Sequence, residues 1–349
     1  MTVHCADCPS FVCRGGIRDA GPDFCPMRGQ FPDFQELYRD EATRELAVRA
    51  ALVEGEGYGR WTRLREIAEF CHRIGFRRLG IAHCSDMVRE ATQVASYFQG
   101  SGLAPVLPPC PPGCEPLEQA RFFGHREIDL IVVAGMSVIH EALLVQASQI
   151  PVVVLIARDL RLRHNPAAAL YTSRSYLKDE LYGHWNPKQR PPFQGSDAKT
   201  LEGVAREIQV LDEGRRSRLA EAMDLAHALG ASHLGISFCV GFREEARILT
   251  SILQTNGFKV SSACCKTGAI PKEEVGLEDS QKVRPGRPEM ICNPVAQAEL
   301  LNREGVHFAL VLGQCVGHDA ATFQHLKAPA ACLVAKDRAL AHNTVAALP

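Results

Sequence analysis

The chain lacks any imbalance of charge. Its 39 lysines and arginines face 40 aspartates and glutamates, a net charge of -1 with histidine neutral. Without a global field of one sign, neither nucleic acid nor an anionic membrane is expected as a partner. It also lacks an apolar run of roughly 20 residues, the length that a membrane span needs. The opening stretch MTVHCADCPS has no apolar signal core, so a cytoplasmic protein is expected. No G-x-G-x-x-G follows any first strand, which argues against dinucleotide binding.

Cysteine, by contrast, is abundant: 14 in 349 residues. Secreted disulfide scaffolds are usually short, whereas this chain is long and has repeated α/β patterning. In a reducing compartment the thiols read as metal ligands or redox groups.

The sequence contains two copies of one unit. RLREIAEFCHRIGFRRLGIAHC (63–84) matches RLAEAMDLAHALGASHLGISFC (218–239), placing Cys84 on Cys239 at a shift of 155. That shift also pairs Cys110 with Cys265. It then becomes 178, pairing Cys114 with Cys292, His140 with His318 and Asp159 with Asp337. The second copy thus carries 23 extra residues, about KTGAIPKEEVGLEDSQKVRPGRP, which read as a charged surface loop or lid.

Each copy alternates amphipathic helices with short apolar strands, the pattern of a parallel sheet covered on both faces. The expected class is α/β: two tandem Rossmann-like, doubly wound parallel-sheet units behind a small four-cysteine metal-binding segment. The expected divisions are that segment over 1–32, a helical connector over 33–59, the first and degenerate unit over 60–172, a connector over 173–214 and the second unit over 215–349. Within the connector, AKTLEGVAREIQVL reads as a helix.

In such sheets ligands bind beyond the carboxyl ends of the strands. Cys239, Cys265 and Cys315 follow the first three strands of the second unit, and Cys292 opens the helix before the third. Four thiols distant in sequence therefore converge on one sheet edge as candidate cofactor ligands. The first unit keeps Cys84, Cys110, Cys114 and His140, but has Ser137 for Cys315 and Glu141 for Asp319. Cys71 and Cys332 lie in apolar interiors and read as small buried hydrophobes. His318, Asp319 and Lys266 are the catalytic candidates. His318 reads as a ligand, a proton donor or a helix-start residue; Asp319 also suits a helix start. Lys266 and Lys336 either neutralise an anionic centre or sit in solvent. Related half-sites in one chain suggest units facing each other across a pseudo-twofold axis.

The spacing C-x2-C-x4-C-x11-C-P gathers Cys5, Cys8, Cys13 and Cys25. Two thiolates from a C-x2-C knuckle and two more complete a shell for zinc or a [4Fe–4S] cluster. So short a segment has no core of its own, so metal would supply its folding energy. The helical stretch after it is expected to join it to the first unit.

These features resemble a cysteine-rich family of unknown function, described as an uncharacterised metal-binding protein of archaea and anaerobic bacteria. GISFCVGFREEA, GFKVSSACCKTG, MICNPVAQAELLN, LGQCVGHD and APAACLVAKDRALAHN carry the resemblance, with the leading cysteine cluster. It implies metal at Cys5, Cys8, Cys13 and Cys25 and suggests a further site at Cys239, Cys265, Cys292 and Cys315. The expected function is a metal-binding, iron–sulfur redox protein passing electrons from the amino-terminal centre to the strand-end site. Its partner would be a redox protein or a small-molecule substrate. Two alternatives stand beside it: a cysteine enzyme with Cys315 as nucleophile and His318 as base, and a zinc-only carrier or regulator.

Overall fold

Thr62 and Ser217 begin the two units in the same way. Each side-chain oxygen accepts the backbone N–H three residues on, capping helices α2 (Arg63–Ile74) and α9 (Arg218–Ala228). The computed structural model describes residues 3–17, 20–28, 38, 40–109, 115–183, 200–208 and 216–348. The stretch HWNPKQRPPFQGSD, Cys110 and Cys114 lie outside them.

In the first unit α2 is followed by β1 (Arg78–Ala82), α3 (Val88–Gly100), β2 (Ala104–Val106), α4 (Pro116–Gly124), β3 (Leu130–Met136), α5 (Val138–Ala147) and β4 (Val152–Ala157). The second unit runs from α9 through β5 (His233–Phe238), α10 (Arg243–Thr255), β6 (Lys259–Cys264), α11 (Pro294–Glu304), β7 (Phe308–Leu312) and α12 (His318–His325) to β8 (Ala330–Val334). Between the units lie α6 (Ala167–Tyr171), α7 (Lys178–Leu181) and α8 (Leu201–Ile208), and α1 (Glu41–Gly57) precedes them all. Wholly apolar runs such as LIVVAGM and VVVLIA are buried along their length, as strands covered on both faces must be. Both sheets are entirely parallel, with orders β2-β1-β3-β4 and β6-β5-β7-β8. The protein is therefore an α/β fold of two tandem, matching units.

The units do not keep separate interiors. Ala309, Val311, Phe323 and Cys332 of the second share a hydrophobic cluster with Ile131, Val133 and Val154 of the first. Val316 and Ala320 pack into the first unit's other cluster, while Val138 and Ala142 of α5 join the second unit's.

The amino-terminal segment docks on the second unit. His4 bridges to Ser262 in parallel, Ser262 N–H donates to Val3 carbonyl at 2.8 Å, and Ser262 Oγ accepts Ala6 N–H at 2.9 Å. It thus covers β6, an edge strand otherwise left with unpaired backbone groups. Phe11 seals the contact edge-on against Phe238. A strand-edge pairing across more than 250 residues leaves no local signal in the sequence.

The 23-residue insert is anchored rather than a free lid. Lys272 pairs with Glu289 at 2.7 Å and Lys282 reaches Asp279 at 2.9 Å and also Glu273. Ile270 and Leu277 enter the core, so its charges serve largely to tie the loop to itself.

Candidate functional site

The turn LGQCVGHD is built by two glycines. Gly313 takes φ +64°, where a Cβ would stand 2.2 Å from the Phe242 ring. Gly317 takes φ +84°, with a Cβ 2.6 Å from Phe70. Only glycine adopts such backbone without strain while letting a ring lie this close. The turn presents Cys315 and starts α12 at His318. Cys239 follows β5, the neighbour of β7, and its N–H donates to Leu312 carbonyl at 3.1 Å. The strand order reverses between β5 and β7, so Cys239 and Cys315 sit at the topological switch point, where this architecture places ligands.

A buried glutamine network holds these strand ends. Gln297 Nε2 donates to the carbonyls of Phe238 and Ala263, and Gln314 Nε2 donates to Ser237 Oγ and Gln297 Oε1. Thr322 Oγ1 completes it with a 2.8 Å bond to Gln314 Oε1.

Cations surround the sulfurs, with Lys336 buried and Lys266 and Arg338 half-buried. Lys336 Nζ lies 2.8 Å from Cys239 Sγ and 3.3 Å from Cys315 Sγ. Lys266 Nζ lies 3.3 Å from Cys292 Sγ and donates to Met290 carbonyl at 2.6 Å. Arg338 stands 3.6 Å from Cys315 Sγ while pairing with Glu54 of α1. Val240 N–H donates to Cys265 Sγ at 3.2 Å, and Tyr38 Oη donates to Cys292 carbonyl.

This environment favours thiolate at Cys239 and Cys292, while the hydrogen bonds to its sulfur neighbours hold Cys265 well above the usual thiol range. Hydrogen bonding from Cys265, then the Lys336 charge, bring Cys239 down to about 5 despite burial. The Cys265 bond and then Lys266 and His318 hold Cys292 well below the usual thiol range, again against burial. Burial alone would lower His318, but Cys292 and Cys315 beside it push it up to about 10. His318 Nε2 is buried and makes no hydrogen bond. Burial opposes charge on Lys336, yet Cys239 and Cys315 hold its pKa above the ordinary lysine value.

A second thiol group lies next to the first. Cys5, Cys8, Cys13 and Cys25 line a small cavity with Cys264, Met27 and Thr267. The cavity holds about 20 Å³, close to the space of one water molecule. Cys264 interacts electrostatically with Cys13 and Cys265, and Cys265 with Cys239 and Cys292. The two thiol groups therefore meet at the adjacent pair Cys264 and Cys265. Cys264, Glu54, Arg338, Tyr38 and the two glutamines were not among the sequence candidates. The adjacent pair at 264–265 was the available signal, because neighbouring strand residues face opposite ways.

The first unit is simpler among its described residues. Cys84 Sγ lies 3.2 Å from His140 Nδ1, and burial raises the Cys84 thiol to about 11. Ser137 Oγ caps α5 at His140 N–H. Arg158, the counterpart of Lys336, pairs with Asp86 at 2.6 Å. Cys71 and Cys332 are interior, and burial pushes Cys71 to about 12. Asp319 does not face the sulfurs: its carboxylate pairs with Arg63, both side chains 1% exposed, which gives it a structural partner.

Soft thiolate donors with cationic neighbours fit zinc or an iron–sulfur group by their chemistry. Among the described residues, no three Cys, His, Asp or Glu side chains stand in the closed arrangement of a single-ion shell. No described helix is long and apolar enough to cross a membrane.

Residues 26–113 and 187–333 match a family described as a protein of unknown function, DUF1847. The chain belongs to this family. An uncharacterised protein of Methanocaldococcus jannaschii is 37% identical over 134 residues, covering 38% of this chain and 67% of that protein. Two structures of Dph2 from Pyrococcus horikoshii, one with a 4Fe-4S cluster, align over 78% and 77% of this chain and 88% of theirs. At 12% identity and a TM-score of 0.22 that likeness carries no argument. The second family match contains Cys239, Cys264, Cys265, Cys292, Cys315 and His318; Cys5, Cys8, Cys13 and Cys25 precede the first match.

Proposed function

We propose that the protein binds metal through its thiols and that the strand-end site of Cys239, Cys265, Cys292 and Cys315 holds an iron–sulfur group, most simply [4Fe–4S], with a redox role. The observation that carries this is Lys336. Lys336 is 2% exposed, and its ammonium donates to sulfur at Cys239 and Cys315. A buried ammonium needs anionic partners, and neutral thiols are weak acceptors. Cys239 is then the anionic partner of Lys336, and a cluster of sulfurs sharing negative charge is the natural companion for Lys336, Lys266 and Arg338.

The bound group would supply one-electron chemistry. The chain's own residues would set its environment: Lys266 and Lys336 offset the ligand charge, and Val240 N–H donates to the Cys265 sulfur. Gln297 and Gln314 keep the strand ends in register. The electron partner is a redox protein or a small-molecule substrate, and a cytoplasmic location accords with free thiols.

Zinc alone is the second reading, favoured by the small cavity among the amino-terminal cysteines, which suits one ion rather than a cluster. Anaerobic purification followed by iron, zinc and acid-labile sulfide analysis tests both. Iron and sulfide in matching amounts with brown absorption are expected. Colourless protein holding only zinc would replace the first reading with the second, and protein holding neither metal would overturn both.

A further inference from the structure

The amino-terminal motif supplies four cysteines, yet five cysteines line its cavity. The fifth, Cys264, closes β6 and is 1% exposed. Ser262, two residues earlier on the same strand face, accepts Ala6 N–H at 2.9 Å. The face of β6 that bears Cys264 is thus the one covered by the amino-terminal segment. Cys264 shares that cavity wall with Cys13 and Cys5 and interacts electrostatically with both.

We propose that Cys264 is a ligand of the amino-terminal metal centre, which is therefore built jointly by that segment and the second unit. The inference rests on the reading that these cysteines bind metal. A closed tetrahedral shell takes four thiolates, so one of the amino-terminal four is spare. The shell then pins residues 3–17 and 20–28 to the β6 edge by a bond through the metal. Adjacent residues of one strand end serve two centres, Cys264 the amino-terminal one and Cys265 the strand-end one.

The direct test is cadmium-113 substitution of the full-length protein, reading scalar couplings from the metal to cysteine β-protons. A coupling to Cys264 from the same cadmium that couples to Cys13 is expected. Cadmium coupled to the amino-terminal cysteines but not to Cys264 would overturn the inference while leaving metal binding intact. Failure of the full-length protein to take up any metal would instead remove the underlying reading. Stoichiometry gives an independent check: Cys13→Ser and Cys264→Ser should each lose the same metal equivalent, and the double variant should lose no more. Loss of two equivalents in the double variant would assign Cys264 to the strand-end centre and overturn the proposal.

Discussion

Arg63 and Asp319 form a buried ion pair that joins the two units, and Arg218 and Glu141 repeat it at 2.8 Å with the roles of the units exchanged. Arg63 also donates to Val154, Gln314 and Lys336 carbonyls, and Arg218 to those of Cys332, Met136 and Arg158. Every partner of one arginine is the duplicate of a partner of the other, so the interface is pseudo-twofold. The carboxylates finish strands of the facing sheet, with Glu141 accepting Cys332 N–H at 2.6 Å and Asp319 accepting Val154 N–H at 3.4 Å.

Removing either arginine strands a buried carboxylate and three carbonyls. Arg63→Met and Arg218→Met should each destabilise the protein by about 3–5 kcal/mol, the usual loss when one partner of a buried pair is deleted. Urea unfolding checks this. A loss below about 1 kcal/mol would mean that the pair is hydrated rather than structural.

Gly317→Ala tests the turn. The new methyl meets both a left-handed φ and the Phe70 ring. Backbone strain alone predicts about 1–3 kcal/mol lost, seen in the thermal midpoint, and reduced metal retention because Cys315 and His318 flank the turn. A neutral substitution would show that the turn has room to shift.

The sequence exposed those features with a repeated or periodic signature. Continuous apolar runs marked β3, β4, β7 and β8, and glycine, cysteine and histidine coincidences marked the duplication. A doubly wound parallel sheet then followed from crossover geometry, whereas the strand order that carries Cys239 and Cys315 to one switch point came only with the structure. Cys264 escaped because the alignment of the copies assigned the partner of Cys110 to Cys265, leaving its neighbour without a counterpart. From the helical connector, where no pattern points inward, Glu54 reaches the Cys315 sulfur and Tyr38 the Cys292 carbonyl. The docking of residues 3–17 on β6 depends on backbone bonds across the chain, to which side-chain identity contributes little.

His342 gives a pH dependence. Its Nδ1 accepts Asp337 N–H at 3.1 Å, its ring packs on Phe242, and burial followed by Lys336 and Arg338 lowers its pKa to about 4. In the unfolded chain histidine titrates near 6.5. Between those values the unfolded state binds the extra proton, so stability is complete above about 6.5 and falls as pH drops towards 4. His233, also lowered to about 4 chiefly by burial, adds to the same slope. Thermal midpoints from pH 7 to 4.5 should decline, and His342→Asn, which tolerates the positive φ of 66°, should flatten part of the decline. An unchanged slope in that variant would remove His342 from the account.

Lys336 should set the behaviour of the strand-end centre. A cation 2.8 Å from the Cys239 sulfur favours the more negative, reduced state of whatever group the sulfurs hold. Lys336→Met keeps the length and removes the charge, so the midpoint potential should move to more negative values. Lys336→Arg should restore much of the shift, since it returns the charge with altered geometry. Redox titration followed by electron paramagnetic resonance reads this, and iron content measured alongside separates a changed potential from a lost centre. An unchanged potential at full iron occupancy in Lys336→Met would place the redox group away from Cys239 and Cys315, whereas a shift rescued by arginine would tie it to them through charge rather than packing.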